Sequence, residues 1–208
     1  NSSKVLTEKD ISIDQKFNNN VYMITKYEAE CKVLDAISKG WILAKIFRMG
    51  NIMPRYSDGC FQKNKYDNAF LSRMQTILNL KICPDIYLNM HIDLTPVDDA
   101  SRAVVKLLKY NSSRTIHHIF NKYIVNIFNI LDKSNFKVVS TDEAIKVIGK
   151  SNNPYDAHML NDLLNPNVQE TPATSIMTET DLRKAHFRWH RINKKYVKSI
   201  YNVLNKNK

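Results

Sequence analysis

The fold class is indicated most clearly by one short run, Trp41-Ile42-Leu43-Ala44-Lys45-Ile46-Phe47. It is short and almost entirely apolar, which is typical of a buried strand in a parallel sheet. The preceding residues 19–39 carry apolar side chains at helical spacing, and Gly40 is a natural stop for that helix. Residues 48–55 then form a predicted loop at the end of the strand, where open α/β sheets bind ligands. A helix that leads directly into a buried strand favours an α/β fold.

The alternation of helix and strand continues along the chain. Helical patterns cover residues 69–80, 95–110, 124–133 and 141–150, and strand patterns cover residues 89–94, 115–121 and 136–140. Thr95 and Thr141 are predicted to cap two of these helices, with Pro96 at a first helical position. Residues 152–167 are expected to form a short helix and a turn. We therefore expect an α/β core over residues 1–150 and a mostly helical lobe over residues 151–208.

Composition excludes several classes of site within these 208 residues. The chain has only four glycines, Gly40, Gly50, Gly59 and Gly149, which are too scattered for a phosphate-cradling loop. Its three cysteines, Cys31, Cys60 and Cys83, fit neither a disulfide framework nor a zinc knuckle. Reduced thiols in a cytoplasmic protein are the expectation. No apolar run approaches the ~18 residues of a membrane helix, so no membrane partner is expected.

The positive charge is concentrated at the C-terminus. Residues 181–208 hold nine basic residues and one acid, whereas the whole chain has 31 basic and 20 acidic residues. The apolar residues of this segment recur at three- and four-residue steps, which predicts one amphipathic helix. Its basic face is either simply solvated or meets an acidic partner. Nucleic acid is disfavoured because the aromatic residues lie on the apolar stripe rather than among the charges.

Three pairs of polar residues receive structural interpretations. His186 and His190 lie four apart on the predicted C-terminal helix, but no nearby Cys or carboxylate completes a metal site, so none is expected. His117 and His118 are expected to point to opposite faces of a strand. Asp98 and Asp99 are expected to serve the dipole of the helix that they open.

Tyr22 and Lys26 form the pair with the clearest chemical use. Their i, i+4 spacing on a helix puts both side chains on one face. An ammonium close to a phenol favours the phenolate, and such a pair can exchange a proton with a carbonyl oxygen during hydride transfer. The spacing alone is common, so it does not decide between a catalytic pair and a coincidence.

Several ordered segments raise the significance of this pair. They are Asn20–Glu30, Arg48–Ile52, Arg55–Asn64, Thr95–Ala100 and Ile116–Asn121. In this order they resemble the extended short-chain dehydrogenase/reductase family, and more narrowly the terminal thioester reductase domains of nonribosomal peptide synthetases. The resemblance implies the distal part of a doubly wound, Rossmann-like parallel sheet with a small, mostly helical C-terminal substrate lobe.

The resemblance also implies roles for particular residues. Tyr22 would be the general acid, and Lys26 would favour its ionised form and bind the nicotinamide ribose. Met49, Gly50, Asn51 and Ile52 would lie beside the nicotinamide of NADPH. The glycine-rich loop and the substrate-binding Ser or Thr would lie before residue 1, in an upstream half of the same domain. Ser2 and Ser3 are too close to the tyrosine helix to be assigned that role.

The implied reaction is the NADPH-dependent release of a thioester as an aldehyde. The substrate would be a peptidyl or acyl group on the phosphopantetheine of an acidic carrier protein. Two alternatives stay open: an extended short-chain reductase or epimerase acting on a free small molecule, and a non-catalytic basic interaction domain.

Overall fold

The computed structural model describes residues 5–13, 17, 20–64, 67–110, 112–126, 136–165 and 172–205. The helices in these ranges are α1 (Val21–Ser38), α2 (Ala69–Leu80), α3 (Val97–Lys109), α4 (Thr141–Ile148), α5 (Ala157–Leu164), α6 (Ile176–Lys184) and α7 (Lys194–Asn205). The strands are β1 (Ile46–Met49), β2 (Ile52–Met53), β3 (Ile82–Pro84), β4 (His91–Ile92), β5 (Thr95–Pro96), β6 (Ile116–Ile119), β7 (Val125–Asn126) and β8 (Lys137–Val139). Short 3-10 helices cover Asp85–Asn89 and Pro154–Asp156.

The strands form pairs, and most of these pairs are parallel. β1 pairs with β6 so that Ile46 lies opposite Ile116, β2 pairs with β5, and β3 pairs with β8. Only β4 with β7 is antiparallel among the pairs in the described ranges. The parallel pairs, separated along the chain by helices, confirm the predicted α/β class.

The first apolar run differs from its prediction at its N-terminal end. β1 begins at Ile46, and Trp41 and Leu43 are exposed, at 72% and 104%. The reason is the end of α1, where Gly40 has a φ of 71°. The N–H of Gly40 bonds to the carbonyl of Ile37 and that of Trp41 to the carbonyl of Ala36. These two bonds form a Schellman motif, so Trp41 closes the helix instead of opening the strand.

Residues 82–96 also depart from the sequence prediction. The predicted strand over residues 89–94 is a 3-10 helix over Asp85–Asn89 followed by the two-residue β4, and β3 was not predicted. Thr95 does not cap α3 and Pro96 does not start it, since both belong to β5. The Thr95 hydroxyl instead donates to Asp93 and accepts from the N–H of Asn121.

Two helix predictions need smaller corrections. Residues 125 and 126 form β7 rather than part of a helix over residues 124–133, and residues 127–133 lie outside the described ranges. The side chain of Ser140, not Thr141, caps α4 by accepting from the N–H of Glu143 at 3.3 Å. The helix over residues 69–80 and the strand within residues 115–121 are confirmed as α2 and β6.

The predicted single C-terminal helix is wrong, because the chain breaks between α6 and α7. His186 has a φ of 53°. The N–H of Phe187 bonds to the carbonyl of Leu182, and that of His186 to the carbonyl of Arg183. This is again a Schellman motif, with a histidine where glycine is usual. A new helix, α7, begins after Asn193, whose side chain accepts from the N–H of Tyr196 at 2.9 Å.

The chain forms two compact units. The first unit comprises Asn1–Gly50, Ala100–Phe120 and Gln169–Arg188, and the second comprises Asn51–Asp99, Asn121–Val168 and Trp189–Lys208. The second unit has a continuous apolar core in which α2, α5 and α7 bury residues such as Leu71, Met159 and Ile200. The division at residue 150 predicted from the sequence concerns functional parts of a reductase domain and stays a prediction.

Candidate active site

Tyr22 and Lys26 are adjacent on α1. The helix starts at Val21 because the side chain of Asn20 accepts from the N–H of Met23 at 3.1 Å. The Lys26 Nζ lies 5.5 Å from the centroid of the Tyr22 ring, within the range of a cation–π contact. The Tyr22 side chain is 67% exposed, and no residue of α1 is buried. The pair therefore presents a phenol and an ammonium together on an accessible helix face.

An ionic network anchors this helix to β1. Arg48 donates to both carboxylate oxygens of Glu30, with an Nη2 to Oε2 distance of 2.7 Å. Both side chains are mostly buried, at 16% and 21% exposed. Glu30 lies two helical turns beyond Tyr22, so this bidentate ion pair fixes the helix that carries Tyr22 relative to β1.

His118 extends the same network and has a defined tautomer. Its Nδ1 lies 2.6 Å from the carbonyl oxygen of Thr174, and its Nε2 lies 3.2 Å from Arg48 Nη1. A carbonyl can only accept, so Nδ1 carries the hydrogen and Nε2 accepts from Arg48. Burial lowers the pKa of His118, in agreement with this neutral form. The sequence indicated a structural histidine, which is confirmed, but gave no sign of its link to Arg48.

The predicted cofactor loop is a short junction between two strands. Met49 is the last residue of β1 and is 47% exposed, and Ile52 is the first residue of β2. The N–H of Gly50 donates to the carbonyl of Ile119 at 2.9 Å. The predicted loop over residues 48–55 therefore overlaps the end of β1 and all of β2, and Gly50 and Asn51 lie between these two strands. Met49 and Gly50 belong to the first unit, and Asn51 and Ile52 to the second.

Asp93 fixes the position of Asn51. Its carboxylate accepts from the backbone N–H of Asn51 at 2.9 Å and from the Asn51 side-chain amide at 2.8 Å. The Thr95 hydroxyl donates to the same carboxylate at 2.8 Å. Burial raises the pKa of Asp93, and the hydrogen bonds from Asn51 and Thr95 act in the opposite direction. Sequence reasoning missed Asp93, since a lone carboxylate in a predicted strand gives no pattern.

Asp98 and Asp99 have more specific roles than the predicted support of the helix dipole. Asp98 accepts from the backbone N–H groups of Tyr56 and Ser57, at 2.9 and 3.2 Å. Burial acts to raise the pKa of Asp98, but these hydrogen bonds outweigh it, and the net shift is downward. Asp99 is fully buried and binds His190, with 2.7 Å between Asp99 Oδ1 and His190 Nδ1.

The His190 ring stacks on Tyr56 with centroids 4.1 Å apart. His190 lies between α6 and α7, so His186 and His190 do not share one helix.

Among the described residues, no group of three His, Cys, Asp or Glu side chains is placed to hold a metal ion. No helix in the described ranges is long and apolar enough to cross a membrane.

Comparisons with known proteins agree on the kind of domain. A family profile described as "Male sterility protein", from a group of NAD-binding domains, matches residues 2–104. No curated protein matches the sequence. The thiolation-reductase di-domain of an archaeal nonribosomal peptide synthetase is 26% identical, with a TM-score of 0.80 over 99% of this chain and 44% of that one.

Two further solved structures share the fold at lower identity. The reductase domain of the aureusimine biosynthetic cluster has a TM-score of 0.85 at 20% identity, over 97% of this chain and 55% of that one. The terminal R domain of the myxalamid PKS-NRPS pathway has a TM-score of 0.61 at 18% identity, over 77% of this chain and 43% of that one. The chain thus spans about half the length of the structures that it matches. The chain is thus similar to NAD-binding domains of the male sterility profile over residues 2–104, and it shares its fold with the reductase domains of peptide synthetases.

Proposed function

We propose that the chain carries the proton-transfer part of an NADPH-dependent reductase domain, which releases a peptidyl or acyl thioester from a carrier protein as an aldehyde. The observation that carries the proposal is the exposed Tyr22 and Lys26 pair on α1, held to β1 through Glu30 and Arg48. The likeness to reductase domains of peptide synthetases supports the choice of a thioester over other carbonyl substrates.

The residues present fit the nicotinamide end of the cofactor. In the first unit, Tyr22 and Lys26 offer a phenol and an ammonium to a carbonyl oxygen and a ribose. In the second unit, Asp93 holds Asn51 in a defined position. The four glycines are not clustered, so we assign the pyrophosphate to the upstream half of the domain. The preference for NADPH over NADH is part of the proposal and rests on the family resemblance.

The reaction uses this chain for its proton transfers. When bound, the nicotinamide cofactor would supply the hydride that reduces the carbonyl carbon of the thioester. Tyr22 donates its phenolic proton to the carbonyl oxygen, and the product is a hemithioacetal. Lys26 stabilises the phenolate that Tyr22 leaves behind. The carbon–sulfur bond of the hemithioacetal then breaks, its hydroxyl proton passes to the sulfur, and the products are an aldehyde and the thiol of the carrier.

An acidic carrier protein is the proposed partner. Exposed basic residues near the C-terminus supply charge of the complementary sign in each of the two units. They are Lys184 and Arg188 in the first unit, and Arg191, Lys195 and Lys198 in the second. The solved archaeal relative is a di-domain that joins a thiolation domain to a reductase, which supports such a partner. A cytoplasmic location is also proposed, and the three free thiols support it.

The test is a product analysis on the chain joined to its upstream half. The domain is incubated with NADPH and an acyl thioester on a carrier protein, and NADPH oxidation and aldehyde are measured together. We expect one aldehyde for each NADPH oxidised in the first reduction. Reduction of free ketones with the thioester left intact would contradict the proposal and favour the small-molecule alternative. The absence of any NADPH oxidation would favour a non-catalytic interaction domain.

A further inference from the structure

A shallow groove in the first unit gathers basic side chains beside an aromatic ring. Its volume is about 320 Å³. Helix α3 contributes Arg102, Val105 and Lys106, and the turn after α6 contributes His186, Phe187 and Arg188. None of the described lining residues is acidic. The groove therefore collects three full positive charges and an imidazole in a space of small-molecule size.

The backbone fixes the groove from two sides. Arg102, Val105 and Lys106 lie three and four residues apart, so they share one face of α3. On the other side, the Schellman motif at the end of α6 turns the chain at His186 and directs the following residues away from the helix. The groove is thus built on a helix face and on a hydrogen-bonded turn, both of which are rigid elements.

Phe187 orients one of the cations of the groove. Its side chain is 5% exposed, and the Arg102 guanidinium lies 5.3 Å from the centroid of its ring. This cation–π contact limits the freedom of Arg102, so less conformational entropy is lost when Arg102 binds an anion. Val105 is 48% exposed and supplies an accessible apolar surface to the groove. Lys106 and Arg188 are both exposed and able to reach a ligand.

We propose that this groove binds a phosphate monoester carried on an apolar or aromatic body. Arg102, Lys106 and Arg188 hold the phosphate, and Val105 contacts the body. A phosphate dianion matches three cations better than a single carboxylate does, and guanidinium groups bind phosphate oxygens in pairs. The proposal goes beyond the reductase activity, because the groove contains neither Tyr22 nor Lys26.

The test is a calorimetric titration, in which phenyl phosphate is added to the 208-residue chain at constant ionic strength and the heat of binding is measured. We expect saturable binding with a Kd below about 1 mM, tighter than the binding of either benzoate or inorganic phosphate. Lys106→Gln and Arg188→Gln should each weaken binding about tenfold, which is the usual worth of one charge-assisted contact. Lys109→Gln is the matched control, since it removes one exposed positive charge from the same helix outside the groove.

Three results would overturn the proposal. The first is no saturable binding of phenyl phosphate, and the second is benzoate binding of equal strength. The third is an equal loss of affinity in Lys109→Gln, which would mean that phenyl phosphate responds only to net charge. Circular dichroism of each variant checks that the fold is retained. The readout is binding rather than turnover, so its outcome is independent of the proposed reductase reaction.

Discussion

His186 holds a left-handed backbone conformation that glycine would adopt at no steric cost. We predict that His186→Gly raises the free energy of unfolding by about 0.5–1 kcal/mol, because it relieves this strain. The measurement is urea denaturation followed by circular dichroism. Lys184→Gly is the control. It introduces a glycine into the last turn of α6, where glycine should lower the free energy of unfolding by up to about 1 kcal/mol. A loss of stability in His186→Gly would show that the histidine side chain itself supports the turn.

Asp93 is the residue through which the protein positions Asn51. Asp93→Asn leaves one side-chain acceptor where two carboxylate oxygens now receive three hydrogen bonds. In the completed domain, meaning this chain joined to its upstream half, we predict that the KM for NADPH rises about tenfold. This is the usual effect of losing a hydrogen bond to a charged group. Asp58→Asn serves as the control, because Asp58 is exposed and accepts from its sequence neighbours Arg55 and Cys60. An unchanged KM in Asp93→Asn would separate Asn51 from the cofactor.

Sequence patterns identify some residues of the candidate site and miss others for physical reasons. Tyr22 and Lys26 can be found because the i, i+4 rule applies within one helix. The Asp99–His190 pair spans 91 residues, and no local period links two positions that only the tertiary fold brings together. For the same reason, Arg48 and His118 lie in two of the segments that carry the resemblance, but no local pattern shows that their side chains are in contact.

Among the elements, α7 carries the clearest testable charge pattern. Tyr196, Ile200 and Leu204 are buried, whereas Lys194, Lys195 and Lys198 are exposed. The predicted apolar stripe is thus confirmed for α7, although Phe187 and Trp189 lie outside any helix. Exposed charges add little to stability, about 0–1 kcal/mol each, so association with a partner is the property in which they should matter most.

We predict that salt slows the reaction of the completed domain with a carrier-bound thioester. Between about 50 and 500 mM salt, kcat/KM should fall for the carrier-bound substrate and stay nearly level for a small free thioester. Charge reversal at Lys195 and Lys198 should reproduce the loss at low salt. Equal responses of the two substrates would mean that these lysines are only solvated.

Element prediction succeeded where local signals decide and failed where tertiary contacts compete. α2 was found within its true bounds because Asn68 caps it and because its apolar residues keep one period. The two-residue strands β2, β5 and β7 are too short to show any period. Their pairing depends on partners that are far away in the sequence, as in the pair of Ile52 with Thr95.

For the whole molecule, the buried histidines contribute to the dependence of stability on pH. His117 is fully buried against Phe47, and burial lowers its pKa to about 4, with further lowering from Lys45 and Arg114 against an opposing effect of Asp181. The unfolded chain has a histidine pKa near 6.5, so it binds the proton more readily than the folded chain. Stability is therefore full above about pH 6.5 and falls as the pH drops toward 4.

This loss should reach about 3 kcal/mol for His117 alone. The measurement is urea denaturation at several pH values between these limits. His117→Phe should flatten the pH profile without abolishing it, because the pKa of His118 is also lowered. An unchanged slope in His117→Phe would mean that other groups control acid unfolding.

In the proposed reaction Tyr22 donates the proton during thioester reduction, and the decisive experiment is the turnover of Tyr22→Phe in the completed domain. Removal of one hydroxyl leaves the exposed position on α1 otherwise intact. We expect kcat on a carrier-bound thioester to fall by roughly 10²–10⁴, with little change in substrate affinity. Lys26→Ala should lower kcat at least as much. Near-normal turnover of Tyr22→Phe, with the aldehyde still formed, would mean that Tyr22 is not the proton donor.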